Sequence, residues 1–216
     1  MSGFSEPQLA AARLLFGLDE ARGFALAGGS ALLALGAIDR PTRDIHAFVA
    51  AKAENPPGDV GPLVAALSTR LLDDGWAVTV DRELVTFARL IATRNGESVE
   101  VDLAVDSPPL FPLEVVDGLP VLSAQDLAAR KVLAILDRAE GRDFTDLRAL
   151  ADQYSQTECS RWAQELDAGV RVIDVAGAFT KLTRLGDADL PCSPDAVPSL
   201  RTWFEDWSTR LLAAGG

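Results

Sequence analysis

Residues 26–46 read LAGGSALLALGAIDRPTRDIH, and this stretch decides the fold. Its first residues belong to a short apolar strand, predicted over residues 23–28, that ends on two glycines. Ser30 follows the glycines and is predicted to cap a helix that Gly36 terminates. The sequence therefore predicts a strand that turns directly into a short helix, through a turn made of small residues.

A second strand is predicted over residues 44–50, where side chains alternate in character. Asp44 and His46, the only histidine of the chain, therefore share one face of that strand. Asp102 lies in a further predicted strand, VEVDLAV, between two apolar residues. If the two strands pair, Asp102 meets Asp44 and His46. Because Mg²⁺ binds carboxylate oxygens together with substrate phosphates, these three side chains are the predicted metal ligands.

Gly28, Gly29 and Ser30 stand where the first strand turns into the helix. Glycine lets a ligand approach the backbone closely, and the amide N–H groups at a helix start attract anions. A Gly-Gly-Ser turn alone is more often a plain turn, and Asp-x-His in a strand is mostly chance. The order of these features, with Asp102 following them, favours a functional site in which the three turn residues are the predicted phosphate ligands.

The composition narrows the class of protein. The chain has 216 residues, 48% hydrophobic and 24% charged, which is enough for a sizeable core. The formal net charge of −12 argues against a protein that binds nucleic acid non-specifically through charge. No signal peptide or membrane span is predicted, so we expect a cytoplasmic protein without membrane contact. Cys159 and Cys192 follow no metal-ligand spacing and are expected to be reduced thiols.

The predicted elements are segregated along the chain, with all strands in the first half. The Asn95-Gly96 pair predicts a hairpin between strands over residues 86–93 and 98–105. Only helices are predicted later, over about residues 123–139, 143–154, 157–167, 171–182 and 198–213. We therefore predict an α+β fold with a strand-containing α/β lobe over residues 1–121 and a helical lobe over residues 122–216.

The order of these segments resembles the polymerase-β-type nucleotidyltransferase superfamily, with its Gly-Ser motif, Asp-x-Asp motif and third Asp. More narrowly, the chain resembles the AbiEii/MenT family of nucleotidyltransferase toxins. Three segments carry the resemblance: AGGSALLALGAIDRPTRDIHAFV, VEVDLAVDSPPL and LSAQDLAARKVLAILDRAEGRDFTDLRAL. The resemblance implies a polymerase-β-like nucleotidyltransferase lobe with a mixed sheet, followed by a helical C-terminal lobe.

The third of these segments carries a stripe of charged side chains. On a continuous helix Lys131, Arg138 and Arg142 share one stripe, which by itself is typical of a solvated face. The resemblance instead implies that Lys131 holds the triphosphate and that Asp146 orients Lys131 or deprotonates the acceptor hydroxyl. Arg138 and Arg142 are then expected to bind phosphate or support the site, and Arg43 is a further phosphate-binding candidate.

His46 departs from the family, which usually has a second Asp at this position. Imidazole is a softer ligand than carboxylate and binds Mg²⁺ less well. Three interpretations follow. His46 ligates and favours Mn²⁺; or Asp44, Asp102 and substrate phosphates hold one metal while His46 lines the pocket; or the site is catalytically inactive.

The resemblance implies a metal-dependent enzyme that moves a nucleoside monophosphate from a nucleoside triphosphate to an acceptor, with Mg²⁺ or Mn²⁺ as cofactor. The implied catalytic residues are Asp44, Asp102, Lys131 and Asp146. The implied acceptor is RNA, in particular the 3′ end of tRNA, and the implied partner is a cognate antitoxin protein. The alternatives are transfer to a small molecule or a protein hydroxyl, and an inactive pseudo-transferase that acts as a binding module.

The net charge of −12 counts against an RNA acceptor, because phosphates are repelled by an acidic protein. A cluster of arginines around the cleft would answer that objection. The arginines expected to form it are Arg40, Arg43, Arg89, Arg94, Arg138 and Arg142.

Overall fold

The computed structural model describes residues 3–42, 44–49 and 58–214, with only the backbone described at Ala214. The chain divides into two compact units, Met1–Ser123 and Ala124–Gly216. Strands occur in the first unit, and the described elements of the second are helical. The predicted α+β fold class is therefore confirmed.

Seven strands form one mixed sheet in the first unit. They are β1 (Phe24–Ala27), β2 (Asp44–Val49), β3 (Ala77–Leu84), β4 (Phe87–Arg94), β5 (Glu97–Val105), β6 (Glu114–Val116) and β7 (Leu119–Val121). Their order across the sheet is β3-β4-β5-β2-β1-β7-β6. Central β2 alternates as predicted: Ile45, Ala47 and Val49 are buried on one face. The other face of β2 is only half-buried and carries Asp44 and His46.

Three helices accompany this sheet: α1 (Glu6–Phe16), α2 (Gly28–Ala34) and α3 (Gly61–Asp73). The prediction that Ser30 caps α2 is wrong, because α2 already begins at Gly28. The hydroxyl of Ser30 instead donates to the carbonyl oxygen of Ala27, inside the first turn. The prediction that Gly36 ends α2 is confirmed, since Gly36 has φ +69° and directly follows the cap residue Leu35.

Two hairpins follow the rule for two-residue turns with positive φ. Asn95 (φ 55°) and Gly96 (φ 82°) join β4 to β5, which confirms the predicted hairpin. Asp117 (φ 50°) and Gly118 (φ 82°) join β6 to β7, which the sequence analysis did not predict. These strands have only three residues each, too few to show a periodic pattern. β7 pairs in parallel with β1 and so extends the sheet.

The second unit is a helical array with an aromatic core. Its helices are α4 (Ala124–Asp137), α5 (Gly141–Leu150), α6 (Gln156–Leu166), α7 (Val172–Phe179) and α8 (Val197–Ala214). Phe204 lies at the centre of the core, with ring centroids 5.0 Å from Phe144 and 5.1 Å from Phe179. Among the described residues, no helix is both long and apolar enough to cross a membrane.

A break separates α4 from α5, in agreement with the two helices predicted over residues 123–139 and 143–154, so the stripe drawn from Lys131 to Arg142 on one continuous helix is wrong. α4 ends at Asp137, and Ala139 adopts a left-handed conformation with φ +52°. Gly141 then opens α5 at a point where a Cβ atom would overlap the carbonyl oxygen of Asp189. The bend, rather than a helical stripe, therefore decides where the charged side chains of this segment meet.

Candidate functional site

The strand pairing brings the three predicted metal ligands together. β2 and β5 pair in parallel, with His46 directly beside Asp102. β1 and β2 pair antiparallel, with Ala27 beside His46, so the turn after β1 also lies next to this histidine. The predicted proximity of Asp44, His46 and Asp102 is therefore present in the structure.

The side chains form a short polar row on one face of the sheet. Nε2 of His46 lies 2.9 Å from Oδ2 of Asp44 and 3.5 Å from Oδ2 of Asp102. The Asp102 side chain is 6% exposed, whereas those of Asp44 and His46 are each 15% exposed. The hydroxyl of Thr42 donates to Oδ1 of Asp44 and so fixes that carboxylate. The ring of Phe48 stacks on that of His46, with centroids 5.9 Å apart.

Arg89 on β4 binds Asp102 from the other side. Its Nε donates to Oδ1 and its Nη2 to Oδ2, both at 2.7 Å. These hydrogen bonds, more than the surrounding charges, raise the pKa of Arg89 above its usual range. This pair was not predicted from the sequence, although the hairpin contains the signal. The Asn95-Gly96 turn pairs Arg94 with Glu97, and counting five residues away from the turn on each strand gives Arg89 and Asp102.

Asp44 and His46, which share a hydrogen bond, could together hold a divalent cation. Their nearest oxygen and nitrogen atoms are 2.9 Å apart, close to the separation of about 3 Å between neighbouring ligands of an octahedral ion. Asp102 is held more firmly by Arg89 than by its neighbours on the row. Over residues 3–42, 44–49 and 58–214, no three His, Cys, Asp or Glu side chains are arranged as a ready-made metal site. Substrate phosphates would have to complete such a site.

Gly28 and Ser30 position His46. Ser30 is fully buried, and its hydroxyl donates to the Ala27 carbonyl (2.8 Å) while accepting from the backbone N–H of His46 (3.1 Å). Gly28 has φ +56°, and a Cβ atom there would overlap Nδ1 of His46. A Cβ atom at Gly29 would lie 3.3 Å from Oγ1 of Thr42 and 3.6 Å from Nη2 of Arg40. The hydroxyl of Ser30 therefore holds α2 to β2. Because the hydroxyl is engaged in these two bonds, the phosphate contacts predicted at this turn would have to be made by backbone N–H groups.

The second unit contains a buried charged cluster around Lys131. Its Nζ lies 3.0 Å from Oδ1 of Asp143 and 2.8 Å from Oδ2 of Asp146. Arg138 donates to both oxygens of Asp143, from Nε at 3.0 Å and from Nη2 at 3.1 Å. Burial raises the pKa of Asp143, but hydrogen bonds from Arg138 and the charge of Lys131 outweigh it, so the pKa of Asp143 is lowered. Lys131 and Asp146 are in contact, as predicted, but the bend between α4 and α5 brings them together, not a continuous helix.

Most of the arginines that were expected to cluster around the cleft pair with carboxylates instead. Arg142 donates to Glu140 at 2.7 Å and Arg94 donates to Asp74 at 2.8 Å, in addition to the pairs of Arg89 and Arg138 already described. Arg40 lies near Gly29, and Arg43 falls outside the described residues. Four of these six arginines therefore have their charge locally neutralised by a carboxylate.

The fold has structural relatives from Helicobacter pylori. One, provisionally assigned as a nucleotidyltransferase, aligns with a TM-score of 0.57 at 16% identity over 99% of this chain and 100% of its own. A second, JHP933, aligns with a TM-score of 0.56 at 17% identity over 98% of this chain and 96% of its own. At such identities the likeness shows a shared fold and nothing more.

The sequence defines the family more narrowly. The model of the family described as nucleotidyl transferase AbiEii toxin, type IV toxin–antitoxin system, matches residues 13–172. The chain therefore belongs to the AbiEii nucleotidyltransferase toxins, enzymes for which a nucleoside triphosphate substrate and a cognate antitoxin are implied. Among curated proteins, none matches this chain.

Proposed function

We propose that this chain is an active, metal-dependent nucleotidyltransferase whose acceptor is the 3′ end of tRNA. The observation that carries the proposal is the convergence of Asp44, His46 and Asp102 on one sheet face, where His46 lies within 3.5 Å of both carboxylates. The turn at Gly28 abuts the same histidine, so backbone N–H groups are near the proposed cation position. Carboxylate and imidazole donors beside a helix start suit a metal-bound triphosphate.

Each residue of the row has a role in this proposal. Asp44 and His46 would hold the metal together with triphosphate oxygens, and Oδ2 of Asp102 lies 3.5 Å from Nε2 of His46. A bound divalent metal neutralises phosphate charge and orients the α-phosphate for attack by the acceptor hydroxyl. Thr42 fixes the carboxylate of Asp44, and Ser30 fixes the backbone of His46. Most of the rate gain would come from this positioning rather than from covalent chemistry.

Lys131 and Asp146, from the third segment that carries the family resemblance, are the remaining proposed catalytic residues. Lys131 is proposed to contact the triphosphate and Asp146 to orient it, as the family resemblance implies. The 2.8 Å contact between Lys131 and Asp146 supports the orienting role. Arg138 supports the pair through Asp143, whereas a phosphate contact by Arg142 requires its side chain to leave Glu140.

A tRNA end is compatible with an acidic chain. The formal charge is −12, and the expected arginines are mostly paired, so long-range attraction of a nucleic acid is excluded as the basis of recognition. A 3′ terminus presents one reactive hydroxyl and few phosphates. Binding would then involve few released counterions, and the transfer rate should depend only weakly on salt concentration.

The test is incubation of the protein with each labelled nucleoside triphosphate, total tRNA and a protein extract, with and without Mg²⁺ or Mn²⁺. Metal-dependent label at the tRNA 3′ end is expected, and it should vanish in Asp44→Ala. Asp81→Ala, an exposed position on edge strand β3, is the matched control and should keep full activity. Label only on protein or small molecules would contradict the tRNA acceptor. Growth arrest that survives Asp44→Ala would instead indicate a binding module.

A further inference from the structure

The carboxylate of Asp102 is already paired with a positive charge in this structure, the guanidinium of Arg89. Both carboxylate oxygens accept from Arg89 at 2.7 Å, in the two-bond geometry that makes arginine–carboxylate pairs strong. Asp102 is 6% exposed and Arg89 37% exposed at the side chain, so the shared bonds lie on the protected side of the arginine. Glu100 supports the guanidinium from 3.7 Å.

The backbone keeps this pair in place. Arg89 and Asp102 are directly opposite each other on β4 and β5, which pair along their whole lengths inside the sheet. The register is set by the Asn95-Gly96 turn, and a slip of one strand by one residue would place the two side chains on opposite faces of the sheet. The backbone therefore keeps the guanidinium of Arg89 within reach of Asp102.

The charges of Asp44, His46 and Asp102 also argue against two bound metal ions. Asp44 and Asp102 contribute two negative charges, and Arg89 neutralises one of them, since its guanidinium stays protonated. A histidine at position 46 adds no third carboxylate. Sites that hold two divalent ions about 3.5–4 Å apart need bridging carboxylates and more negative charge than this row offers.

We propose that Arg89 is a built-in cation that occupies the place of a second metal ion at Asp102, so that the site takes a single divalent metal. This inference rests on the proposed function, since the single metal is the one that accompanies the nucleoside triphosphate. Arg89 is thus a positioning residue: it holds Asp102 and sets the number of metals, without contacting the reacting atoms.

The experiment counts metal ions. The full chain with a non-hydrolysable nucleoside triphosphate analogue is titrated with Mn²⁺, and free Mn²⁺ is followed by electron paramagnetic resonance. Wild type should bind one Mn²⁺ per chain and Arg89→Met two. Arg82→Met, which removes the same charge from exposed strand β3, is the matched control and should still bind one.

Two results would overturn the inference alone: two Mn²⁺ ions in wild type, or one in folded Arg89→Met. Binding of neither analogue nor Mn²⁺ by folded wild type would overturn the proposed function together with it. Thermal unfolding provides a second measurement if Arg89→Met folds poorly, because it leaves Asp102 buried without its partner. Mn²⁺ should then raise the melting temperature of Arg89→Met more than that of wild type, and an equal or smaller rise would contradict the inference.

Discussion

At the scale of single residues, His46 is the proposed metal ligand that departs from the family. His46→Asp replaces a nitrogen donor by a carboxylate oxygen, which Mg²⁺ prefers. We expect the variant to retain or raise Mg²⁺-dependent transfer, and the ratio of Mg²⁺ to Mn²⁺ activity to rise by about tenfold, as changes around metal ligands commonly do. Initial rates over a range of both metals measure this ratio. Loss of activity with both metals, in a folded variant, would show that the imidazole itself is required.

Lys131 is a second residue whose removal has a large expected cost. Its Nζ lies within 3.0 Å of two buried carboxylates, those of Asp143 and Asp146. Lys131→Met leaves these carboxylates with too few partners, so the free energy of unfolding should fall by about 3–5 kcal/mol. Urea denaturation measures the change.

Lys181→Met is the control for Lys131→Met. Lys181 donates to the carbonyl oxygens of Leu136, at 2.7 Å, and Ile135, at 3.4 Å, near the end of α4. Because these are neutral backbone acceptors on a partly exposed site, the loss should be about 1 kcal/mol. Similar losses in the two variants would contradict the importance of the buried cluster.

At the scale of elements, the start of α2 determines the position of His46. Gly28 and Gly36 both have positive φ, +56° and +69°, so Gly28→Ala and Gly36→Ala share the same backbone strain. That strain should cost about 1–2 kcal/mol in each. Only Gly28→Ala also forces a methyl group onto Nδ1 of His46, since nothing lies near a Cβ atom at Gly36. We therefore expect both variants to melt earlier but only Gly28→Ala to lose nucleotide transfer.

Melting curves and transfer assays on the same preparations separate the two effects. Normalising the transfer rate to the folded fraction removes the shared strain. If Gly36→Ala loses as much normalised activity as Gly28→Ala, the contact with His46 does not matter for transfer.

At the scale of the whole molecule, the sequence predicted what local patterns determine. The alternation in β2 predicted that Asp44 and His46 share one face, and the Asn95-Gly96 turn predicted the β4–β5 hairpin. That β5 also pairs with β2, with Asp102 beside His46, was only a condition of the prediction, because sheet order depends on contacts between distant strands. The sequence did not show that Ser30 lies inside α2, because its hydroxyl bonds are made to Ala27 and to a strand sixteen residues away. The bend before Gly141 also depends on a distant partner, the backbone at Asp189. Long-range packing, absent from any local pattern, accounts for these differences.

The stability of the chain in acid should report the buried cluster. Because the pKa of Asp143 is lowered in the folded chain, its ionised form stabilises the fold above the unfolded pKa of about 3.9. This contribution is lost as the pH falls through the lower folded value. We expect the urea midpoint of wild type to fall steeply below about pH 4, and that of Asp143→Asn to fall less steeply. Glu158→Gln is the control: the pKa of Glu158 is also lowered, by bonds from Ser155, but Glu158 is exposed and water screens its interactions. An equally steep fall in Asp143→Asn would show that other carboxylates control acid unfolding.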